Sequence, residues 1–260
     1  MKHFNVLWST LRLQMKNSFA RPMFRFCLLA NPIVNTVLMY EMFQSAGQEN
    51  FTTYVILGAG LMGLWSCICF SSAGDINRER FSGTLPLIFS TPARFSSIIL
   101  GKIVGNTLLS LITLVLSFLT ALLLYGIWPE VQSPGFLLLS LFAAILCFVS
   151  ISSIIAYLLT LSRKTQLYMN CIEIPVILLC GFAFPLEVLP LWIQPLSFAL
   201  SPTWAVKLIR MSVGGVTDAA AYWTTLGILA AMTAAYTLAG ALLARAIDNQ
   251  VRIKATLEVM

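Results

Sequence analysis

The sequence predicts an all-α integral membrane protein with six transmembrane helices. Hydrophobic residues make up 58% of the chain and charged residues only 10%, and the mean hydropathy is +0.87, far from the balance of soluble domains. At roughly 20 residues per span, the 260 residues accommodate about six spans joined by short loops. We therefore interpret 1–260 as a single transmembrane domain, and any enzyme or energy source that it needs must come from another chain.

The first 25 residues predict an amphipathic helix that lies in the membrane interface. Apolar side chains recur at helical spacing from Phe4 through Leu11 to Phe19, while Arg12 and Lys16 lie off that stripe. This pattern is typical of interfacial helices. The charges are spread throughout and no small-residue cleavage site follows, which argues against a secretory signal. A disordered basic tail is the alternative.

Five uncharged or weakly charged apolar stretches and one broken stretch predict the six spans. The five stretches run over 26–43, 54–73, 103–125, 136–161 and 222–244. Two of them carry rows of small residues, which let a neighbouring helix approach closely. These rows are Gly58, Ala59, Gly60 and Gly63 in the second span, and Gly227, Ala231, Ala235 and Ala239 in the sixth.

The basic residues predict the orientation of the six spans. All but two of the 16 Lys and Arg residues fall in segments that six spans place on the same side of the membrane. The two exceptions are Lys207 and Arg210. By the positive-inside rule, both termini and the segment between the second and third spans are cytoplasmic.

The segment 75–97 is the longest polar interruption in the first half of the chain. Its centre, from Arg78 to Leu85, places charges of both signs on about two helical turns. Gly83 favours a helix end, and Thr91-Pro92 predicts a second break, since proline disfavours helix in the residue before it. The alternative is a solvated loop whose basic residues only fix the orientation of the neighbouring spans.

The fifth span is broken by prolines. Pro185, Pro190, Pro195 and Pro202 exclude a continuous helix, yet the pieces between them are too apolar for a free loop. We expect 186–210 to form an external re-entrant segment of short helices that dip back into the outer membrane face without crossing it. An ordinary span kinked by proline is the alternative.

The polar segment resembles the first cytoplasmic segment of the type-2 (ABC-2-type) permeases of ABC exporters. The motif consists of Glu79-Arg80, Gly83-Thr84-Leu85 and Thr91-Pro92. In that family the segment contains the coupling helix that docks on the ATPase subunit. The resemblance implies docking by Arg78, Glu79, Arg80, Phe81, Gly83, Thr84, Leu85, Thr91 and Pro92. The family often has an acidic residue where this chain has Pro86, so an earlier bend or end of the helix is expected.

The broken span carries a second resemblance to the same family. Gly181 is followed by Pro185 and Pro190, then by Ser201-Pro202 and Arg210, as in the family's signature region. There the segment forms a re-entrant hairpin near the outer mouth of the pathway. The resemblance implies an external gate made by Gly181, Pro185, Glu187, Pro190 and Pro202.

Four further residues are candidate pathway contacts. Asn35 is a polar residue at membrane depth and should face protein rather than lipid. Glu173 is either an ion or substrate contact or an interfacial residue that pairs with Arg163 or Lys164. Phe182 and Phe184 are contacts for an apolar cargo or ordinary packing residues.

The sequence contains no G-x-x-x-x-G-K-[ST] loop and a single histidine, so an enzyme is not expected. The six cysteines have no metal-ligand spacing. The resemblance implies a permease subunit in a bacterial-type plasma (inner) membrane that exports a hydrophobic or amphiphilic substrate, such as a drug, an antimicrobial peptide or a lipid-linked molecule. ATP and Mg would lie on a cytoplasmic ATPase dimer, and the other partners would be a second permease chain, the same or homologous, and lipid, with no nucleic acid. An ATP-independent secondary transporter or channel is the alternative.

Overall fold

A computed structural model describes residues 2–44, 51–84, 87, 95–126, 132–160, 165–216 and 218–254. Within these ranges the chain is helical and has no strand. The α-helices are α1 Lys2–Ala20, α2 Pro22–Gln44, α3 Phe51–Phe81, α4 Phe95–Ser110, α5 Ile112–Tyr125, α6 Pro134–Thr160, α7 Thr165–Leu179, α8 Gln194–Phe198, α9 Ser201–Val213 and α10 Ala219–Lys254, with a 3-10 turn, η1, at Leu186–Val188.

The described helices confirm an all-α membrane protein. Four stretches are long and apolar enough to cross a bilayer: Pro22–Gln44, Ser96–Tyr125, Pro134–Thr160 and Ala219–Asn249. The second of these contains α4 and α5, which follow each other directly. Two shorter apolar helices, Ile56–Cys69 and Leu167–Leu179, lie where the second and fifth spans are predicted. The count of six spans therefore stays a prediction.

The amphipathic helix is shorter than predicted. α1 ends at Ala20, Arg21 is not helical, and α2 begins at Pro22, so residues 22–25 belong to the first span. The reason is that proline has no N–H and fits the first position of a helix better than its interior. The buried face of α1 contains Leu11, Gln14 and Ser18, whereas Trp8 and Phe19 are exposed. The buried face of α1 therefore coincides only in part with the apolar stripe that the sequence predicts.

The helix that contains the second predicted span continues well beyond it. α3 runs without interruption to Phe81, so the first part of the predicted coupling segment is the end of this helix and not a separate one. Gly83 follows in the left-handed conformation, with φ of 65°, and ends the helix as predicted. A rigid connection thus joins the membrane part of α3 to residues 78–81.

The glycines of α3 allow close packing, as predicted. A Cβ atom on Gly60 would lie 2.8 Å from Leu114 of α5, and one on Gly63 would lie 3.2 Å from Thr113. A Cβ on Gly58 would lie 2.5 Å from the Phe182 carbonyl oxygen. These positions bring α3 against α5 and against the chain that follows α7.

The largest apolar core lies where α3, α6 and α9 meet. Trp65, Phe148 and Phe182 are fully buried at its centre, with ring centroids 5.8 to 6.4 Å apart. Such separations are typical of interacting aromatic rings. The core fixes the broken region to the second and fourth spans.

The broken region consists of short helices, as the prolines predict. α7 ends at Leu179, and Gly181 adopts a left-handed φ of 72°. η1, α8 and α9 follow, and α9 extends three residues beyond the predicted limit at 210, to Val213. α7 is about 22 Å long at the helical rise of 1.5 Å per residue, which is less than a hydrocarbon core of about 30 Å.

The small-residue face of α10 does not pack as expected. Gly227, Ala231, Ala235 and Ala239 are all exposed, and no atom of the described chain lies within 4 Å of a Cβ built on Gly227. The close approach occurs instead at Gly240, where a Cβ would lie 3.1 Å from Ser153 Oγ. Within the described part of this chain α10 turns its other side toward α6, so packing of the small-residue face against another helix stays a prediction.

Candidate functional site

A buried polar cluster joins α1, α3 and α4 at one end of the bundle. We call it the polar junction; it consists of Gln14, Ser18, Arg21, Asp75 and Asn106. Asp75 is 4% exposed and Asn106 is 1% exposed. Buried polar groups of this kind are stable only when they are hydrogen-bonded.

The Asp75 carboxylate is the acceptor at the centre of the polar junction. It accepts hydrogen bonds from Gln14 Nε2 at 2.6 Å and from Asn106 Nδ2 at 2.9 Å, both on Oδ2. The other oxygen, Oδ1, forms an ion pair with Arg21. Ser18 Oγ donates to Asn106 Oδ1 at 2.6 Å. The arrangement ties the N-terminal helix to the end of the second span and to the third span.

Two glycines bring α1 close enough for these bonds. A Cβ on Gly101 would lie 3.0 Å from the Leu7 carbonyl oxygen, and a Cβ on Gly105 would lie 3.0 Å from the Leu11 carbonyl oxygen. Both neighbours are backbone atoms, which cannot move aside as a side chain can. Glycines spaced four residues apart on α4 therefore form the contact surface for α1.

A second ionic contact lies one turn beyond Asp75 on α3. Glu79 pairs with Lys102 of α4 and accepts a hydrogen bond from the Thr84 hydroxyl. Burial alone would raise the pKa of Glu79, but the bonds from Lys102 and Thr84 and the charges of Lys102 and Arg21 outweigh it, and the net pKa is lowered. Glu79 is therefore a stable carboxylate that holds α3 to α4.

Arg80 connects the same end of α3 to α6. Its Nη2 donates to the carbonyl oxygen of Thr160 at 2.7 Å. Thr160 is the last residue of α6, where carbonyl groups lack intrahelical partners and the helix dipole favours a cation. Arg80 therefore caps the fourth predicted span from a position on the second.

At the opposite end, the broken region is held by hydrogen bonds to backbone carbonyls. The Ser197 hydroxyl donates to the Leu179 carbonyl, and the Thr203 hydroxyl donates to the Ser197 carbonyl at 2.6 Å. Arg210 Nη2 donates to the Phe182 carbonyl at 3.3 Å. Carbonyls freed by the helix breaks thus find partners within the chain, as apolar surroundings require.

The family follows from a comparison with known proteins. A family model described as ABC-2 family transporter protein matches residues 11–242, which is most of the chain. The chain belongs to the ABC-2 transporter family. It is a multi-pass membrane permease component of an ABC transporter, and its family implies an ABC ATPase partner. No curated protein matches the chain.

In this ABC-2 permease the predicted docking residues fall into three groups. Arg78, Phe81 and Gly83 are exposed, and Phe81 is 84% exposed. Glu79, Arg80 and Thr84 have the partners within the chain described above. Leu85, Thr91 and Pro92 lie outside the described residues. Docking by any of them stays a prediction, and the exposed group offers the larger accessible surface.

The predicted gate residues surround the helix breaks of the permease. Gly181 and Pro202 are buried, Pro185 is half-buried and Pro190 is exposed. Glu187 lies in the turn η1. The breaks lie where they are predicted, but a gating role stays a prediction.

The four pathway candidates have different surroundings among the described residues. Asn35 donates to Asn31 one turn earlier at 3.1 Å. Phe182 is fully buried in the aromatic core, and Phe184 is half-buried. Glu173 is half-buried, with Ser66 as its hydrogen-bonding neighbour; its alternative partners Arg163 and Lys164 lie outside the described residues. The burial of Phe182 favours the packing interpretation for that residue.

The sequence interpretation did not identify the polar junction as a site. The signal available was Asp75 at the end of an apolar span, together with Gly101 and Gly105 at the spacing of a helix contact. The partners Gln14 and Asn106 lie 61 and 31 residues from Asp75, so no local pattern pairs them. Among the described residues, no three Asp, Glu, His or Cys side chains come together at a metal-binding distance.

Proposed function

We propose that this permease is the membrane subunit of an ATP-driven exporter, in which a separate ATPase docks on the end of α3. Two permease chains, identical or homologous, line the path, and ATP and Mg bind to the ATPase dimer. The termini and the docking surface face the cytoplasm of a cell with a bacterial-type plasma membrane.

One observation carries this proposal: residues 78–81 continue the helix of the second predicted span, and two of them are bonded to other helices. Glu79 is paired with Lys102 of α4, and Arg80 is bonded to the end of α6. A force applied to the end of α3 would therefore act on three predicted spans together. Coupling between the ATPase and the transport path needs a structural element that moves together with both of them.

The exposed residues beside those bonds supply a surface for the ATPase. Phe81 is the large apolar side chain with the greatest exposure among the described residues, and Arg78 lies beside it. Aromatic and Arg side chains are enriched in protein interfaces. Within this short stretch, the inward residues would transmit the movement and the outward residues would bind the partner.

The apolar character of the spans favours a hydrophobic or amphiphilic substrate. The predicted third, fourth and sixth spans contain no charged residue within 103–125, 136–161 and 222–244. A path lined by such helices offers little to an ionic solute, which must keep polar partners in the membrane. A drug, an antimicrobial peptide or a lipid-linked molecule fits this surface.

The experiment is purification of the tagged chain from the organism that encodes it, in mild detergent, followed by mass spectrometry of the bound proteins. We expect a protein with a Walker A loop to be retained. A second six-span protein beside it would indicate a heterodimer. Transport of solute into liposomes by the chain alone, without ATP, would contradict the proposal and favour a secondary transporter.

A further inference from the structure

Helix α1 packs along the start of a membrane span. Its backbone lies against Gly101 and Gly105 of α4, and both glycines belong to Ser96–Tyr125, which is long and apolar enough to cross a bilayer. The residue after α1, Arg21, leads directly into α2, which is also long and apolar enough to cross. Side chains on the outer side of α1 are therefore level with the first turns of a span, where lipid surrounds the bundle.

The outer side of α1 is divided into an apolar strip and a basic strip. At about 100° per residue, Trp8 and Phe19 lie about 60–80° around the helix from the buried Leu11. Arg12 and Lys16 follow in the same direction, about 100–140° from Leu11. All four outer residues are exposed, Trp8 by 58% and Phe19 by 48%. An apolar strip beside a basic strip is typical of helices that lie at the boundary between acyl chains and headgroups.

The cations of the basic strip have no anionic partner within the described chain. The ion pairs of the described residues lie elsewhere, at Asp75 and Glu79. Arg12 and Lys16 are four residues apart, about 6 Å along the axis, so their like charges repel each other. An anion bound between them would remove this repulsion.

Position and charge together select the phosphate layer of a membrane as the environment of this surface. Unpaired cations are costly in the hydrocarbon core, so cations beside the start of a span lie at the level of the headgroups. A symmetric contact with a second copy through this surface would place Arg12 and Lys16 against the same cations of that copy. Helix α1 contains no acidic residue that could accept the ammonium group of a zwitterionic lipid, whereas an anionic headgroup meets only opposite charge.

We propose that the outer side of α1 binds an anionic phospholipid. The phosphate lies at Arg12 and Lys16, and Trp8 and Phe19 pack against the upper part of the acyl chains. Trp suits this level because its apolar ring carries a single N–H donor. The binding is independent of the exporter role, since it requires only that the chain be embedded in a bilayer. It also accounts for the exposure of Trp8 and Phe19, two residues of the predicted apolar stripe.

Native mass spectrometry of the purified full-length chain, titrated with phosphatidylglycerol or phosphatidylcholine, tests this site. Wild type should bind phosphatidylglycerol more tightly. The double variant Arg12→Gln/Lys16→Gln should bind it about tenfold or more weakly, at about fivefold per charge, and bind phosphatidylcholine as before. Lys207→Gln/Arg245→Gln removes the same two charges from exposed positions outside α1 and should keep the preference. Equal loss of preference in both double variants overturns the proposal.

A conservative variant separates charge from structure. Arg12→Lys/Lys16→Arg retains both cations and should bind phosphatidylglycerol within a few-fold of wild type. Weakening as large as in the Gln variant would show that the charges do not hold the lipid. If the Gln variant instead keeps the preference and loses a co-purifying protein, the surface binds that protein and the proposal is wrong.

Thermal unfolding in detergent gives an independent measurement. Phosphatidylglycerol should raise the melting temperature of wild type, because a ligand that binds only the folded chain stabilises it. The rise should be absent in Arg12→Gln/Lys16→Gln and should shrink in about 0.5 M salt, since salt screens exposed charges. A rise that is the same at low and high salt, or the same in the variant, contradicts binding by the basic strip.

Discussion

Gln14 Nε2 lies 2.6 Å from Asp75 Oδ2, so the N-terminal helix is hydrogen-bonded to the end of the second predicted span. The same carboxylate pairs with Arg21, the residue that separates α1 from α2. Helix α1 is therefore an integral part of the bundle at this end, because a buried acceptor fixes its position.

Replacement of Asp75 by Asn should destabilise the protein strongly. The Asn side chain carries no charge opposite Arg21. Its NH2 group would also face the donors Gln14 and Asn106, so buried groups would be left without hydrogen-bond partners. Loss of one member of a largely buried pair costs about 3 kcal/mol. Thermal unfolding in detergent measures the effect. Glu41→Gln, at an exposed site where Tyr125 Oη lies 3.4 Å from the carboxylate, is the control and should change little; equal effects would contradict the role of Asp75.

The ion pair of Glu79 predicts a specific pH dependence. The pKa of Glu79 in the folded protein is lowered, mainly by Lys102 and Thr84 against the opposing effect of burial. Its stabilisation is therefore complete above the unfolded value of about 4.3 and is lost as the pH falls through the folded pKa. The difference in melting temperature between wild type and Glu79→Gln should stay constant from about pH 8 to 5 and shrink on further acidification. A difference that changes between neutral pH and pH 5 would refute this assignment.

The contact between α1 and α4 should tolerate no side chain at Gly105. Gly105→Val places carbon atoms against the Leu11 carbonyl and should cost about 1–3 kcal/mol through overpacking. Gly227→Ala on the exposed face of α10 is the matched control and should be neutral or stabilising, since alanine favours helix by about 1 kcal/mol over glycine. Chemical unfolding in mild detergent compares the two. Similar stability of Gly105→Val and wild type would show that α1 is not held in this position.

Much of the fold was predictable because its signals are local. The breaks after Leu179 follow from the close succession of Pro185, Pro190, Pro195 and Pro202, whereas the isolated Pro32 and Pro175 lie inside α2 and α7. The close packing of α3 was likewise predictable from the spacing of its glycines, and Gly60 and Gly63 do contact α5.

The inward roles of Glu79 and Arg80 were not predictable in the same way. Both residues belong to a motif that resembles a docking surface, but their partners Lys102 and Thr160 come from two other helices. A sequence pattern shows that a residue is charged and lies at a helix end, whereas the neighbouring helix determines whether it binds inward or outward. For the same reason the small residues of α10 do not show by themselves which helix they face.

The buried position of Phe182 predicts a structural effect of its loss. Phe182→Ala should lower stability by about 3–5 kcal/mol, because the ring contacts Trp65 and Phe148. The transport rate per folded molecule should change little, whereas the free energy of unfolding should fall. Phe184→Ala, at a half-buried site, should have the smaller effect on stability. Comparison of transport rates normalised to folded protein tests this; a loss of transport with unchanged stability in Phe182→Ala would place the ring in the pathway.

The most direct test of the coupling role of α3 is retention of the ATPase by a Phe81→Asp variant. Leu191→Asp alters an equally exposed apolar residue, 82% exposed, in the broken region and serves as the control. The amount of ATPase that co-purifies with each tagged variant is measured against wild type. We predict that Phe81→Asp retains less than about a tenth of the wild-type amount, equivalent to about 1.4 kcal/mol or more of binding energy, while Leu191→Asp retains all of it. Equal retention by both variants would contradict docking at the end of α3.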